Sequence, residues 1–223
     1  MKRLVLPRLY VILDQALLTI PEIECAQKLA EAGVRLLQYR NKTASSRELL
    51  QASQRLSACL RSSGVTFIVN DRADIARLVD ADGVHVGQED LPVEGVRRIL
   101  GPGKWVGYSI HVLEQVREAE RSSADYIAWG PIFPTTSKEN PDAVVGLEGL
   151  RAARQATRRP LVAIGGITLE SARAVIEAGA DSVAVIRGLV GAPDIRARAE
   201  DFLREIGTLG DWDMGRSVGQ VNR

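Results

Sequence analysis

The chain is poor in residues that hold transition metals. Its 223 residues include two histidines and two cysteines. Cys25 and Cys59 are too scattered for a metal-type spacing, so a closed zinc site is not indicated. Both fall in helix-like stretches and read as buried free thiols, which suits a reducing compartment and a cytoplasmic location. An excess of charge is also missing. The 29 Lys and Arg stand against 28 Asp and Glu, a net of +1. That balance speaks against a nucleic-acid or membrane-surface role and makes any basic pocket a local one. No apolar run is long enough to span a bilayer. The opening MKRLVLPRLYVILDQ places basic residues before an apolar run, as a secretory leader does, but Pro7 and Arg8 interrupt it and no clean cleavage site follows. No GxGxxG follows the first strand candidate, which removes the main mark of a dinucleotide-binding sheet.

What is present is an alternation of short apolar runs with longer amphipathic ones. RLYVIL, RLLQYR, TFIVN, GVHVG, WVGYS, YIAWG, LVAIGG and SVAVIR have the length and composition of buried parallel strands. Between them, stretches such as IPEIECAQKLAEAG and LESARAVIEAGA repeat apolar residues at three- and four-residue steps. EAG, SSG and EAGAD close helices just before the next strand, the chemistry of a short αβ link. Eight strand–helix units in this length predict an α/β fold, a (β/α)8 TIM barrel forming one domain over residues 1–207. An aperiodic, mobile tail is expected over residues 208–223. The alternative is an open doubly wound sheet.

Such barrels carry their chemistry at the C-terminal ends of the strands. Strand two ends in Gln38, Tyr39, Arg40, Asn41 and Lys42, and strand three in Asn70 and Asp71. Strand four runs into Gln88, Glu89 and Asp90, and strand five into Ser109 and His111. Strand six leads to Thr135, Thr136, Ser137 and Lys138, strand seven to Gly165 and Gly166, and strand eight to Ile186, Arg187 and Gly188. Turn chemistry explains any single Asp or Ser. It does not require Lys and Arg behind buried strands.

The chemistry of this rim is coherent. Asp71 and Asp90 end adjacent strands, and one or two carboxylates with phosphate oxygens make a Mg2+ donor set. Arg40, Lys42 and Lys138 suit a phosphate-rich ligand, with hydroxyls from Thr135, Thr136 and Ser137. Gly165 and Gly166 would let the backbone approach a second phosphate, where barrels often bind one. His85 lies within a strand and reads as packed or supporting. His111 is either a helix-start residue or an acid–base group. Trp105 and Trp129 read as packing. The polar PTTSKENPDAVVG stretch is a lid or a plain loop.

QYRNK, VNDRADIA, ADGVHVGQEDLP, GYSIH, ADYIAWGPIFPTTSK, AIGGIT and AGADSVAVI, in this order, resemble the signature of the thiamine-phosphate synthase family over residues 9–206. GQED and GPIFPTTSK are the specific motifs. The resemblance implies condensation of a hydroxymethylpyrimidine diphosphate with a thiazole phosphate, giving thiamine phosphate and pyrophosphate. It implies that Gln38, Tyr39, Arg40, Asn41, Lys42 and Asn70 meet the pyrimidine diphosphate and that Asp71 and Asp90 hold Mg2+. Ser109 and Lys138 would bind the diphosphate, and Arg40, Lys42, Ser109 and Lys138 form the expected catalytic set. Thr135, Thr136, Ser137, Gly166, Ile186 and Arg187 would meet the thiazole phosphate. The chain departs from the family at Arg187, where a small residue, commonly Ser, is usual. Partners would be small molecules, with no nucleic acid and no membrane. A thiazole tautomerase of the same fold and a non-catalytic thiamine-phosphate-binding barrel are the alternatives. The tautomerase would use a histidine and need no metal–diphosphate clamp.

Overall fold

The structure, a computed structural model, describes residues 4–135 and 143–207. The expected tail lies outside the described residues, as do Thr136, Ser137, Lys138 and most of the expected lid. Eight parallel strands close into a barrel in chain order. They are β1 Leu9–Asp14, β2 Leu36–Arg40, β3 Thr66–Asn70, β4 Gly83–Val86, β5 Trp105–Ile110, β6 Tyr126–Trp129, β7 Leu161–Ile164 and β8 Ser182–Val185. Between them run α1 Glu22–Glu31, α2 Ser46–Ser62, α3 Ala73–Leu78, α4 Val93–Leu100, α5 Leu113–Arg121, α6 Gly146–Ala156 and α7 Leu169–Glu177. A single-turn α8, Arg187–Val190, precedes α9, Ile195–Ile206. The barrel expectation is met, and the open sheet is not. No described helix is long and apolar enough to cross a membrane.

Strand side chains alternate between two cores. Tyr10, Ile12, Leu36, Ile68, Tyr126 and Val162 fill the barrel. Leu9, Val11, Leu37, Val69, Val84 and Trp129 face the helices. Cys25 is buried on α1, while Cys59 on α2 is partly exposed, contrary to the expectation of two buried thiols; both are free. The period of two then decides what each strand end presents. Gln38 and Arg40 follow Leu36 inward, and Tyr39 follows Leu37 toward the helices.

At the N-terminal end of the barrel one device is used three times. Asp82, Asp125 and Asp181 immediately precede β4, β6 and β8. Each carboxylate accepts the amide of a residue on the preceding strand: Phe67 at 2.8 Å, Val106 at 2.7 Å and Leu161 at 2.8 Å. The amides of Asp82, Asp125 and Asp181 donate to the carbonyls of the same three residues. The recurring Ala-Asp before a strand is thus a clamp between neighbouring strands, on the face opposite the chemistry. In two units an arginine from the helix that precedes the clamped pair of strands holds the clamp, Arg97 of α4 on Asp125 and Arg154 of α6 on Asp181. The equivalent position in α2 is Ser57. In all three helices this position follows a buried residue (Leu56, Val96, Ala153) and stands three before another (Leu60, Leu100, Thr157). Without an arginine there, a cleft of about 460 Å³ opens beside Ser57, Phe67 and Asp82.

Candidate active site

The two cations at the end of β2 are each held by a carboxylate from a neighbouring strand. Arg40 pairs with Asp14 at the end of β1, and Lys42 pairs with Asp71 just after β3. Asp14 is almost fully buried, and its other oxygen takes the Ala16 amide at 3.1 Å. Asp71 sits in the left-handed region at φ 61°, a conformation that side-chain-bearing residues adopt at a cost. Its amide is fixed at 2.8 Å from the His85 carbonyl, so the strained turn is anchored to β4. Asp90 closes the GQED turn by accepting the Gly87 amide at 2.7 Å. The Asp71 and Asp90 carboxyls come within hydrogen-bonding reach of one another. Burial raises the Asp71 carboxyl above its ordinary pKa, Lys42 opposes that, and Asp90 adds to it. Two carboxylates turned together and faced by an ammonium are a donor set that suits a hard divalent cation. Among the described residues no group of three or more His, Cys, Asp or Glu is gathered for a metal.

Below this rim a chain of polar groups crosses the barrel. Gln38 Nε2 donates to Tyr10 Oη at 2.7 Å, and the Tyr10 and Tyr126 hydroxyls are 2.9 Å apart. Tyr126 Oη meets His85 Nδ1 at 3.1 Å, and His85 Nε2 meets Ser109 Oγ at 2.8 Å. Gly107 makes room for the pair at its centre. A Cβ there would stand 2.1 Å from Tyr126 Cζ and 2.4 Å from His85 Nδ1. His85 is the supporting residue that its place in a strand suggested. Asp14, Tyr10 and Tyr126 were not among the sequence candidates. Asp14 is the last residue of β1 and carries no cation beside it in the chain. The two tyrosines occupy inward positions of apolar runs, where they read as core.

Other candidates have local structural partners of their own. The Tyr39 side chain is buried on the helix side, and with Asn41 it lines a separate cleft of about 310 Å³. Asn41 Oδ1 accepts the amides of Thr43 at 3.2 Å and Ala44 at 3.0 Å, so this side chain shapes the loop that carries Lys42. The Tyr39 side chain points away from the barrel interior. Gln88 fastens loops: its Nε2 donates to the Ser109 carbonyl at 2.6 Å, and its Oε1 accepts Gln115 at 3.0 Å. His111 Nδ1 lies 2.7 Å from the Gly130 carbonyl, an acceptor only, so this nitrogen carries the proton. Gly165 and Gly166 have positive φ, and a Cβ on either would strike Pro131 or Pro134 at 2.5 Å. Their immediate reason is close packing against the β6 loop. Thr135 lies partly exposed in that loop, and Asn70 ends β3 beside Asp71. Arg187 is exposed at the start of α8 and makes no ion pair or hydrogen bond through its guanidinium among the described residues.

A family model described as thiamine monophosphate synthase matches residues 9–189. The chain belongs to this thiamine monophosphate synthase family. It is 51% identical over 206 residues to a thiamine-phosphate synthase of Koribacter versatilis, a match covering 89% of this chain and 95% of that one. It is 45% identical over 188 residues to a thiamine-phosphate synthase of Moorella thermoacetica, covering 84% and 89%. Among solved structures, a thiamine phosphate pyrophosphorylase from Pyrococcus furiosus shares the fold with a TM-score of 0.82 at 40% identity, covering 89% of this chain and 95% of that one. Within the family frame, Gln38, Arg40, Lys42, Asn70, Asp71, Asp90 and Ser109 all belong to the C-terminal ends of β2 to β5 or the loops behind them.

Proposed function

We propose that this member of the family, a transferase, forms thiamine phosphate by joining a hydroxymethylpyrimidine diphosphate to a thiazole phosphate, with Mg2+ held by Asp71 and Asp90. The observation that carries the proposal is the meeting of these carboxyls, with Lys42 against Asp71. Arg40 and Lys42 supply the standing positive charge, and Asn70 and Ser109 supply polar contacts from neighbouring strands. By resemblance, Lys138, Thr135, Thr136 and Ser137 complete the two phosphate sites.

The reaction breaks the bond between the pyrimidinylmethyl carbon and the diphosphate oxygen. The bonding electrons leave with pyrophosphate, and the aminopyrimidine spreads the resulting positive charge. The thiazole nitrogen then donates its lone pair to the methylene carbon. Bound Mg2+ supplies positive charge to the departing pyrophosphate. The residues of this chain hold the diphosphate, orient it, and place cations where charge develops. No protein nucleophile is required.

Arg187 is the chain's own variation. It is exposed at the start of α8 and unpaired among the described residues, which leaves its guanidinium available to add a contact to the thiazole phosphate. Arg187→Ser is expected to raise the KM for that substrate about tenfold. An unchanged KM counts against the contact. The free thiols suit a cytoplasmic enzyme.

The deciding experiment incubates the protein with both substrates, with Mg2+ or EDTA, and assays thiamine phosphate as thiochrome. Product is expected with Mg2+ only, and Asp71→Asn or Asp90→Asn lowers turnover at least about 100-fold. EDTA-insensitive turnover overturns the metal assignment. Tight phosphate binding without product points to the non-catalytic barrel, and thiazole isomerisation without product points to the tautomerase.

A further inference from the structure

The polar chain across the barrel has a direction. A carboxamide nitrogen only donates, so Gln38 Nε2 gives a proton to Tyr10 Oη at 2.7 Å. Tyr126 Oη, 2.9 Å away, is the acceptor within reach of the Tyr10 hydroxyl's own proton, which gives this bond its direction. Tyr126 in turn directs its proton to His85 Nδ1 at 3.1 Å. Neutral imidazole carries one proton, so with Nδ1 accepting, the proton sits on Nε2. Nε2 donates to Ser109 Oγ at 2.8 Å. The serine oxygen has now accepted its bond, and its own proton is left for the mouth of the barrel.

We propose that Tyr10, Tyr126 and His85 are positioning residues that set the direction of the Ser109 hydroxyl, so that it donates to the departing diphosphate. The proposal rests on the reading of Ser109 as a diphosphate contact. If the chain ran the other way, Ser109 would spend its proton on His85 and present only lone pairs to an anion. Hydrogen-bond donors aimed beforehand at developing charge are what such a site needs.

Three observations support a fixed direction. Tyr10 is 1%, Tyr126 0% and His85 7% exposed, which leaves little solvent to reset the order. Burial raises the pKa of both tyrosines, so each hydroxyl keeps the proton that it must pass on. The rings are also locked in place, with His85 stacked on Tyr126 at 5.5 Å between centroids and Tyr10 edge-on to it at 6.1 Å. Packing alone would be served as well by phenylalanine, without the cost of burying hydroxyls.

The test uses the fact that the chain has only two histidines. With 15N-histidine labelling of the whole protein, the His85 ring is expected to be neutral with its proton on Nε2. Tyr126→Phe removes the donor to Nδ1, and the proton should then redistribute toward Nδ1. The same variant should lower kcat on the order of tenfold while the KM for thiazole phosphate stays within about twofold. In a Ser109→Ala background, Tyr126→Phe should cost less than about twofold, because its effect passes through the serine. A proton on Nδ1 in the unaltered protein overturns the proposal, and so does a full Tyr126→Phe effect in the Ser109→Ala background. If Ser109→Ala is itself fully active, the diphosphate reading of Ser109 fails and this inference falls with it, while the synthase reading stands on its product. The NMR result separates that failure from an error in the proton order.

Discussion

Arg40 and Asp14 are neighbours on β2 and β1, and both oxygens of the buried Asp14 are engaged, one by the guanidinium and one by the Ala16 amide. Asp14 therefore holds Arg40 without being available to a metal. Two opposed effects follow from Asp14→Asn. Removing a negative charge favours an anionic ligand, whereas releasing the guanidinium costs alignment. Misplacement of a group near the reacting centre is the larger effect for turnover. We expect Asp14→Asn to lower kcat at least about tenfold with the melting temperature nearly kept. Faster turnover in steady-state assays would show that charge removal wins and that Arg40 needs no such support.

Lys42 is in a different position. Its carboxylate partner, Asp71, is the proposed metal ligand. The pair is half-exposed, and such pairs are worth at most about 1 kcal/mol. Lys42 thus competes with the metal before substrate arrives and contacts diphosphate afterwards. Lys42→Ala should tighten Mg2+ binding to the substrate-free protein, up to about fivefold, while lowering turnover about 100-fold. Calorimetric titration with Mg2+ alone checks the first part. Weaker binding would show that Lys42 supports the metal site.

Much of this site could be read from strand ends because the barrel concentrates its polar residues there. Asp71, Asp90, Arg40 and Lys42 follow apolar runs directly, and a rim that repeats charged stubs stands out. Orientation within a strand was less legible. Tyr39 lies between Gln38 and Arg40 and inherits their motif, but one residue along a strand is the opposite face. Gly165 and Gly166 look like a phosphate cradle from sequence, and only the path of the β6 loop shows what a side chain would strike. The polar chain was hidden because Tyr10, His85 and Tyr126 come from three separated strands within apolar runs. Gly107, where a Cβ would collide with two of their rings, leaves no trace in a single sequence.

Cys25 predicts a pH dependence. Burial pushes its thiol up to about 12, against about 8.5 for a free cysteine. Below about pH 8.5 the thiol is protonated in both folded and unfolded chains and adds no slope. Above that pH the unfolded chain loses the proton and the folded chain keeps it. Stability therefore falls as pH rises, by about 1.4 kcal/mol per unit from this group, until pH reaches the folded value near 12. Cys25→Ala costs packing at every pH but removes this slope. Urea unfolding at pH 7.5, 8.5 and 9.5 checks it. An identical pH slope in the variant would show that Cys25 ionises as readily in the folded protein.

The three strand clamps differ in one residue, which makes them a comparison built into the chain. Arg97 donates to the carbonyls of Gly101 at 2.9 Å, Lys104 at 2.6 Å and Ser123 at 2.8 Å, as well as to Asp125. Arg97→Ser should open a cleft like the one beside Ser57 and leave these acceptors short of a donor. The expected cost is about 2–3 kcal/mol. Arg61, on the existing cleft, pairs with an exposed Asp80, and Arg61→Ser should cost clearly less than Arg97→Ser. The converse change is Ser57→Arg. It gives up the 3.0 Å bond from Ser57 to the Val79 carbonyl, but it brings a guanidinium to Asp82, which has no ion pair among the described residues. Because the new pair remains partly solvated, the net gain should be no more than about 1 kcal/mol, or about 2–4 °C in melting temperature for a chain of this size. The same substitution in an Asp82→Ala background should lose that gain. If Ser57→Arg destabilises the protein in both backgrounds, the cleft is not the empty seat of an arginine, and the likeness between α2 and the other two helices ends at their buried residues.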